Sequence, residues 1–550
     1  MMTRYPHHPL VFMRKLLPVI LLIWLHLFLR WHNIDQMPYF IDEIRHVERA
    51  RIVWSFQDIH TSTTPSKFGM YYWLGLFFLP EYTPAWLARV PISLFTTIGI
   101  ASAFALGKLL FGYRTGFIAG LLIAIWPWLV FFERMALTDP FTATWVTLTI
   151  WWSIVFAKSP TRRRAWILSI FLCMMLAAKL LTIFLLPIPL LVILLFGKYP
   201  LSLSKPLLPQ LKAIWLTYRP HLLRISYVVG GIWGFILGFY QIRKWLYPDT
   251  RVLIDNYLYL KSVQGKAFFV PQNIERTGEV LYYHWSIPLI MLSLLAIVIL
   301  WTKQRRSLIL LSATVMLLWV PLIIIAKELS TRYLTIVAHF IAILIAGGLS
   351  QLWQHERSLL RFGSMGMAAI WIATFALPKI AIIMSQPEQL SLPKRDVFEY
   401  FQNNTSGYEI EEALSFVAEN GDVPLIEDEP VVIAALRICD IDPNYVLYEP
   451  TREEIEIICQ PRLSGYSPNE LFEQRYQWIN DVVEDYNVSY LVIEHYETQV
   501  EPITIEPSRV IGLVRRIARF ERPHNGIPIE IYEIRTYPAP HHLARWVDAS

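Results

Sequence analysis

Charge is scarce in this 550-residue chain: Asp, Glu, Lys and Arg make up 17% of it, against about 25% in an ordinary soluble protein. A soluble globule is therefore set aside first. Cysteine is scarcer still, and three residues in the whole chain exclude both a disulfide-built scaffold and a cysteine-rich metal cluster. No repeat with a period of about 20 to 50 residues is present and no low-complexity tract, which removes solenoids and fibrous chains. The net charge is only +5, and Lys and Arg stand in short clusters between apolar runs with no basic face. No nucleic-acid partner is expected from that pattern.

What the chain has in quantity is apolar surface. Hydrophobic residues make up 55% and aromatic residues 14%, which suits a protein with aromatic belts at two membrane interfaces. Charge becomes dense after about residue 385, so the chain divides into a membrane body, residues 1–384, and a water-soluble tail, residues 385–550. A bilayer core of about 30 Å needs roughly 20 apolar residues as a helix. Runs of that kind lie near 15–30, 86–106, 115–132, 140–157, 165–178, 180–197, 226–242, 285–301, 307–325, 333–350 and 363–383. The first passes from Arg14-Lys15 straight to Arg30-Trp31 with no small-residue cleavage site, and it reads as a retained anchor.

Two runs are ambiguous, and the positive-inside rule decides both. The stretch 165–196 is either one long helix or two short ones meeting at Lys179, and 68–79 is either a span or an interfacial helix. With two spans in the first and none in the second, one face receives Arg14 and Lys15, Lys108 and Arg114, Arg162 to Arg164, the basic loop from Lys198 to Arg224, Arg305 and Arg306, and Arg357 with Arg361. The expectation is a mainly α, polytopic plasma-membrane protein of about eleven spans, surrounded by membrane lipids. Its N-terminus is cytoplasmic and its C-terminal α/β domain extracytoplasmic. In the tail, helices are expected at 409–419 and 468–486, and strands at 423–426, 445–448, 489–493, 517–520 and 527–534.

The ionisable groups of the membrane body fall in the outer loops rather than within the spans. Ile41-Asp42-Glu43-Ile44-Arg45-His46 follows the first membrane exit. Paired carboxylates there suit either a helix N-terminus or a general base facing an acceptor hydroxyl. Further on come Lys67 with Tyr71-Tyr72-Trp73, then Arg89-Val90-Pro91, then Glu133-Arg134 leading to Leu137-Thr138-Asp139-Pro140. Lys179, Tyr282-Tyr283 with Pro288, Lys327 and Arg332-Tyr333-Leu334 complete the outer set.

In this order and topology the sequence resembles the GT-C polyprenyl-phosphate-sugar glycosyltransferases, particularly the protein O-mannosyltransferases and the lipid A aminoarabinose transferases. The resemblance covers roughly residues 15–350. It implies a GT-C-like membrane domain and an inverting transfer from a polyprenyl-phosphate-linked sugar donor to a lipid, glycan or protein acceptor. Asp42 is then the base, with Glu43 and Asp139 orienting the acceptor or stabilising charge at the sugar carbon. Lys67, Arg332 and Lys327 bind the donor phosphate, and Arg45, His46, Tyr71, Arg134, Lys179, Tyr283 and Tyr333 line the cleft. The sequence departs from the family where Phe68 and Gly69 replace two prolines after Lys67, and where Ser66 replaces a metal-binding Glu. His284, at the mouth of a span, reads as interfacial, so no resident metal is expected. The competing class is a transporter or flippase with an outer sensing tail, which would show broken helices, paired polar groups within its spans and symmetry between halves.

Overall fold

The computed structural model describes residues 9–56, 67–78, 83–202, 204–246, 269–326, 329–354, 356, 358–403, 405–420, 431–436, 455–459, 468–486, 488, 490–494 and 507–535. Lys327 and the expected strands at 423–426 and 445–448 lie outside the described residues. The chain forms two compact units, one of Met1–Gln36, His46–Pro80 and Ala85–Pro393, the other of Met37–Arg45, Glu81–Pro84 and Lys394–Ser550. The second unit thus takes in two short segments from the body of the sequence as well as the tail.

The first unit is helical: α1 (Pro9–Trp31), most of α2 (Ile41–Val53), α3 (Phe68–Leu74), α4 (Ala85–Phe111), α5 (Tyr113–Ile125), α6 (Pro127–Glu133), α7 (Thr138–Lys158) and α8 (Arg162–Ala178) come first. Then follow α9 (Ile188–Phe196), α10 (Leu207–Leu246), α11 (Val270–Val280), α12 (Ser286–Lys303), α13 (Arg305–Ile325), α14 (Thr335–Trp353) and two further helices to Ser385. Among the described residues seven helices are long and apolar enough to cross a membrane, eight if a bent pair counts as one span, and Leu16–Trp31 and Leu180–Phe196 are shorter apolar helices. The run at 68–79 yields only the seven residues of α3, about 10 Å of helix and too short to cross. The run at 165–196 breaks at Lys179, whose backbone is extended.

Two sequence features shape the bundle. The α7 hydroxyls of Thr142, Thr144, Thr147, Thr149 and Ser153 each donate to the carbonyl four residues back, which satisfies these hydroxyls within their own helix. The turn from α4 to α5 is made at Gly112, whose φ of 107° lies where a side chain is strained. In contrast to the expectation of unbroken spans, α5 and α6 bend by 62° at Trp126, which is extended, and Pro127. Proline has no N–H to bond the carbonyl of Ile123, so the helix stops there.

In the second unit five strands form a mixed sheet in the order β2-β1-β3-β5-β4: β1 (Val431–Leu436), β2 (Ile455–Cys459), β3 (Tyr490–Glu494), β4 (Leu513–Phe520) and β5 (Ile529–Arg535). β1 pairs in parallel with β2 and β3, and β5 pairs antiparallel with β3 and β4. The helix Pro468–Tyr486 covers one face through Tyr476, Ile479, Val482 and Val483. Cys459 is disulfide-bonded, and the tail's other cysteine, Cys439, lies outside the described residues. Within this unit the Met37–Arg45 segment is fixed by Ile41 N–H donating to Thr405 O at 3.0 Å and by Phe40 against Tyr400.

Candidate active site

A single short turn, residues 134–138 between α6 and α7, carries most of the expected chemistry of the first unit. Its last residue opens α7, and Asp139 sits in that helix's first turn, where the helix dipole favours a carboxylate. Asp139 is buried and accepts a short bond from the Lys179 ammonium. Lys179 ends α8, and its Nζ lies 4.1 Å from the centre of the Tyr333 ring, a favourable cation–π distance. The Arg332 guanidinium lies 5.3 Å from the same ring. Arg332 is itself buried in the one-turn helix Thr331–Leu334. The structure therefore brings Asp139, Lys179, Tyr333 and Arg332 into one cluster.

A second cluster hangs on the same turn. His46 Nδ1 meets the carbonyl of Ala136 at 2.8 Å, and since a carbonyl only accepts, the proton is on Nδ1. Nε2 is then free of a proton and accepts from Lys67 Nζ at 3.1 Å. The His46 ring lies 5.8 Å from that of Tyr71, whose hydroxyl accepts from Arg49 at 2.9 Å. Lys67 caps α3 with a φ of 63°, a conformation uncommon for a side-chain-bearing residue and characteristic of functional sites.

The remaining expected residues stand elsewhere. Arg134 is buried, and its guanidinium donates to the carbonyls of Leu29, His32 and Asn33, the negative end of α1. Burial lowers its pKa to about 10, so it remains charged at neutral pH. Tyr283 lines a separate small cavity with Trp128, Phe131 and Phe375, and its carbonyl accepts from Lys379 at 2.7 Å. His284, expected at the interface, is buried and stacked on Trp128. In the second unit Asp42 and Arg45 are 3.9 Å apart at partly exposed positions. Glu43 is buried and accepts from the N–H of Phe40 at 3.0 Å, the half of a capping box in which the third helical residue reaches back. Among the described residues no three His, Cys, Asp or Glu side chains converge as a metal would require.

Sequence reasoning placed one charged group wrongly. Glu133, expected in an outer turn, is 1% exposed and bonds Arg30, itself 0% exposed, at 2.7 and 2.9 Å. His26 and His339 each stand 3.9 Å from its carboxylate. Arg30 stands in the last turn of α1 and Glu133 is the last residue of α6, so the pair joins two helix ends. His26 and Arg30 stand one turn apart on α1, but Glu133 and His339 come from segments far away in sequence, and no periodicity links them to that helix.

The chain is a mainly α, polytopic membrane protein with a GT-C fold. Residues 69–223 match the profile of the dolichyl-phosphate-mannose-protein mannosyltransferase family. Among solved structures it is similar to ArnT from Cupriavidus metallidurans, seen bound to undecaprenyl phosphate, with a TM-score of 0.53 and 12% identity over 95% of this chain and 99% of that one. The apo state of the same protein gives a TM-score of 0.50 at 12% identity and the same coverage. The oligosaccharyltransferase AglB from Archaeoglobus fulgidus, in complex with an inhibitory peptide and a dolichol-phosphate, gives 0.47 at 14% identity over 88% of this chain and 69% of that one. No curated protein sequence matches the chain.

Proposed function

We propose that this protein is an inverting integral-membrane glycosyltransferase that moves a sugar from a polyprenyl-phosphate donor to an acceptor hydroxyl on the extracytoplasmic face. The observation that carries the reading is the pair of cationic clusters on one turn, Lys67 held by His46 and Lys179 held by Asp139, with Arg332 beside Tyr333, on a GT-C fold. A phosphate leaving group gains charge as the glycosidic bond breaks, and fixed cations stabilise it. Because phosphate leaves readily, no general acid is needed, unlike the acid–base carboxylate pair of glycosidases.

One base suffices, and Asp42 is assigned to it: its carboxylate takes the acceptor proton as the acceptor oxygen attacks the sugar carbon. Glu43 keeps its capping position at the start of the same helix. Asp139, neutralised by Lys179, orients that lysine. Lys327 is proposed as a further phosphate contact, and Arg45, Tyr71, Arg134 and Tyr283 as cleft residues. Among the described residues no metal-ligand set converges, and no step is routed through a metal. The proposal includes eleven spans, a cytoplasmic N-terminus, a membrane domain of residues 1–384 and an outer domain of residues 385–550.

Two experiments test the reading. Undecaprenyl phosphate titrated against the purified chain should bind wild type, and Arg332→Lys should not restore what Arg332→Ala loses, since an ammonium lacks the two-point grip. Equal affinity in all three removes Arg332 from the site. For orientation, a single cysteine at Ser159 should resist a membrane-impermeant thiol reagent in intact cells while one at Ser508 reacts, and the reverse pattern overturns the topology. The broken helix with its buried Arg30–Glu133 pair favours the transporter class as second reading. Lipid or sugar moved across vesicles without transfer would select it.

A further inference from the structure

Arg30 and Glu133 are withdrawn from solvent, and no role in the proposed reaction calls on them directly. A buried ion pair is weak grounds for stability, because desolvation offsets the attraction and apolar residues of similar volume often serve as well. The geometry of this pair is nonetheless specific. Arg30 Nε and NH2 hold Glu133, while NH1 and NH2 donate to the carbonyls of Ala124 at 2.5 Å and Ile123 at 3.2 Å. Those two carbonyls lie at the end of α5, where Pro127 supplies no N–H to Ile123. Arg30 replaces the missing helix donors at the break.

Around the carboxylate, His339 bonds Thr147 of α7 at 2.9 Å and His26 bonds Thr96 of α4 at 3.1 Å, so Glu133 sits where five elements meet. The residue after it, Arg134, is tied to the Leu29 carbonyl in α1 and to those of His32 and Asn33 just beyond that helix. The turn that begins there presents the Ala136 carbonyl to His46 and, three residues on, Asp139 to Lys179.

Resting on the glycosyltransferase reading, we propose that Arg30 and Glu133 are positioning residues: they clamp the start of the 134–138 turn to α1, and so set where Lys67 and Lys179 present their ammonium groups to the donor phosphate. The pair acts through the turn and touches no substrate.

The test uses the full chain in lipid nanodiscs, with undecaprenyl phosphate as the probe and thermal unfolding as the companion readout. Arg30→Met/Glu133→Leu removes both charges together and leaves neither stranded. The expected result is a variant that unfolds within a few degrees of wild type yet binds undecaprenyl phosphate about tenfold or more weakly, the loss expected when a charge-assisted contact slips. If that variant does not fold, Arg30→Lys keeps the buried charge and loses the fork, and the same loss of affinity is expected from it. Unchanged affinity in a folded variant overturns the proposal. Failure of wild type to bind the probe counts instead against the glycosyltransferase reading, so the two failures are distinguishable.

Discussion

Two buried ion pairs stand at the two ends of one turn, and they differ in what each leaves over. At the start, Arg30 and Glu133 have side chains 0% and 1% exposed, and the guanidinium fork is shared between a carboxylate and two backbone carbonyls. At the end, Lys179 and Asp139 are 11% and 3% exposed, and the ammonium also faces the Tyr333 ring. A planar guanidinium suits a fixed multi-point junction, whereas an ammonium with rotatable donors suits a place where an anion comes and goes. The difference teaches that ion pairs of the same formal charge are built here in two ways, one closed on backbone carbonyls and one open at an aromatic ring.

The largest effect that would break this comparison is on stability. Glu133→Leu strands the Arg30 charge at a fully buried position, and about 3–5 kcal/mol should be lost. Asp139→Leu leaves Lys179 beside its exposed edge and should lose about 1–3 kcal/mol. Denaturant unfolding in detergent measures both, and equal losses would show that the two pairs are alike in kind. The smallest effect sharpens the contrast between the adjacent carboxylates of α2. Glu43→Gln weakens a cap and should lose only about 1 kcal/mol of stability, while a large loss of transfer with folding intact would move Glu43 from cap to chemistry.

Much of the fold was legible in the sequence because a backbone in lipid must satisfy its hydrogen bonds within each segment, so a helix announces itself as an apolar run. Every run marked from 15–30 to 363–383 contains helix. The tail helix Pro468–Tyr486 and strands β3, β4 and β5 were legible through periodicity of 3.6 and 2. β1 escaped because Val431–Leu436 is a continuous apolar run without alternation, the pattern of a strand flanked on both sides in parallel.

Within the candidate site, Asp139, Lys179, Lys67 and His46 were singled out by the family resemblance and their place in the outer loops, and their contacts do converge on one turn. Their pairing was not legible, nor was Arg30 with Glu133, separated by 103 residues. Such pairs depend on how spans pack, which no local pattern encodes. Pro127 was the one local signal for the break that Arg30 fills, a proline inside an otherwise continuous apolar run.

The central claim is transfer from a lipid-phosphate donor with Asp42 as base, and single-turnover release of undecaprenyl phosphate from a panel of undecaprenyl-phosphate-linked sugars tests it most directly. Wild type should release the lipid phosphate from at least one donor when a hydroxyl acceptor is supplied. Asp42→Asn should bind the same donor and release it about 10² to 10⁴ times more slowly, roughly 3 to 5 kcal/mol of barrier. Release by Asp42→Asn at the wild-type rate would contradict the assignment of the base, and a wild-type chain that binds donor yet consumes none of the panel would contradict the account.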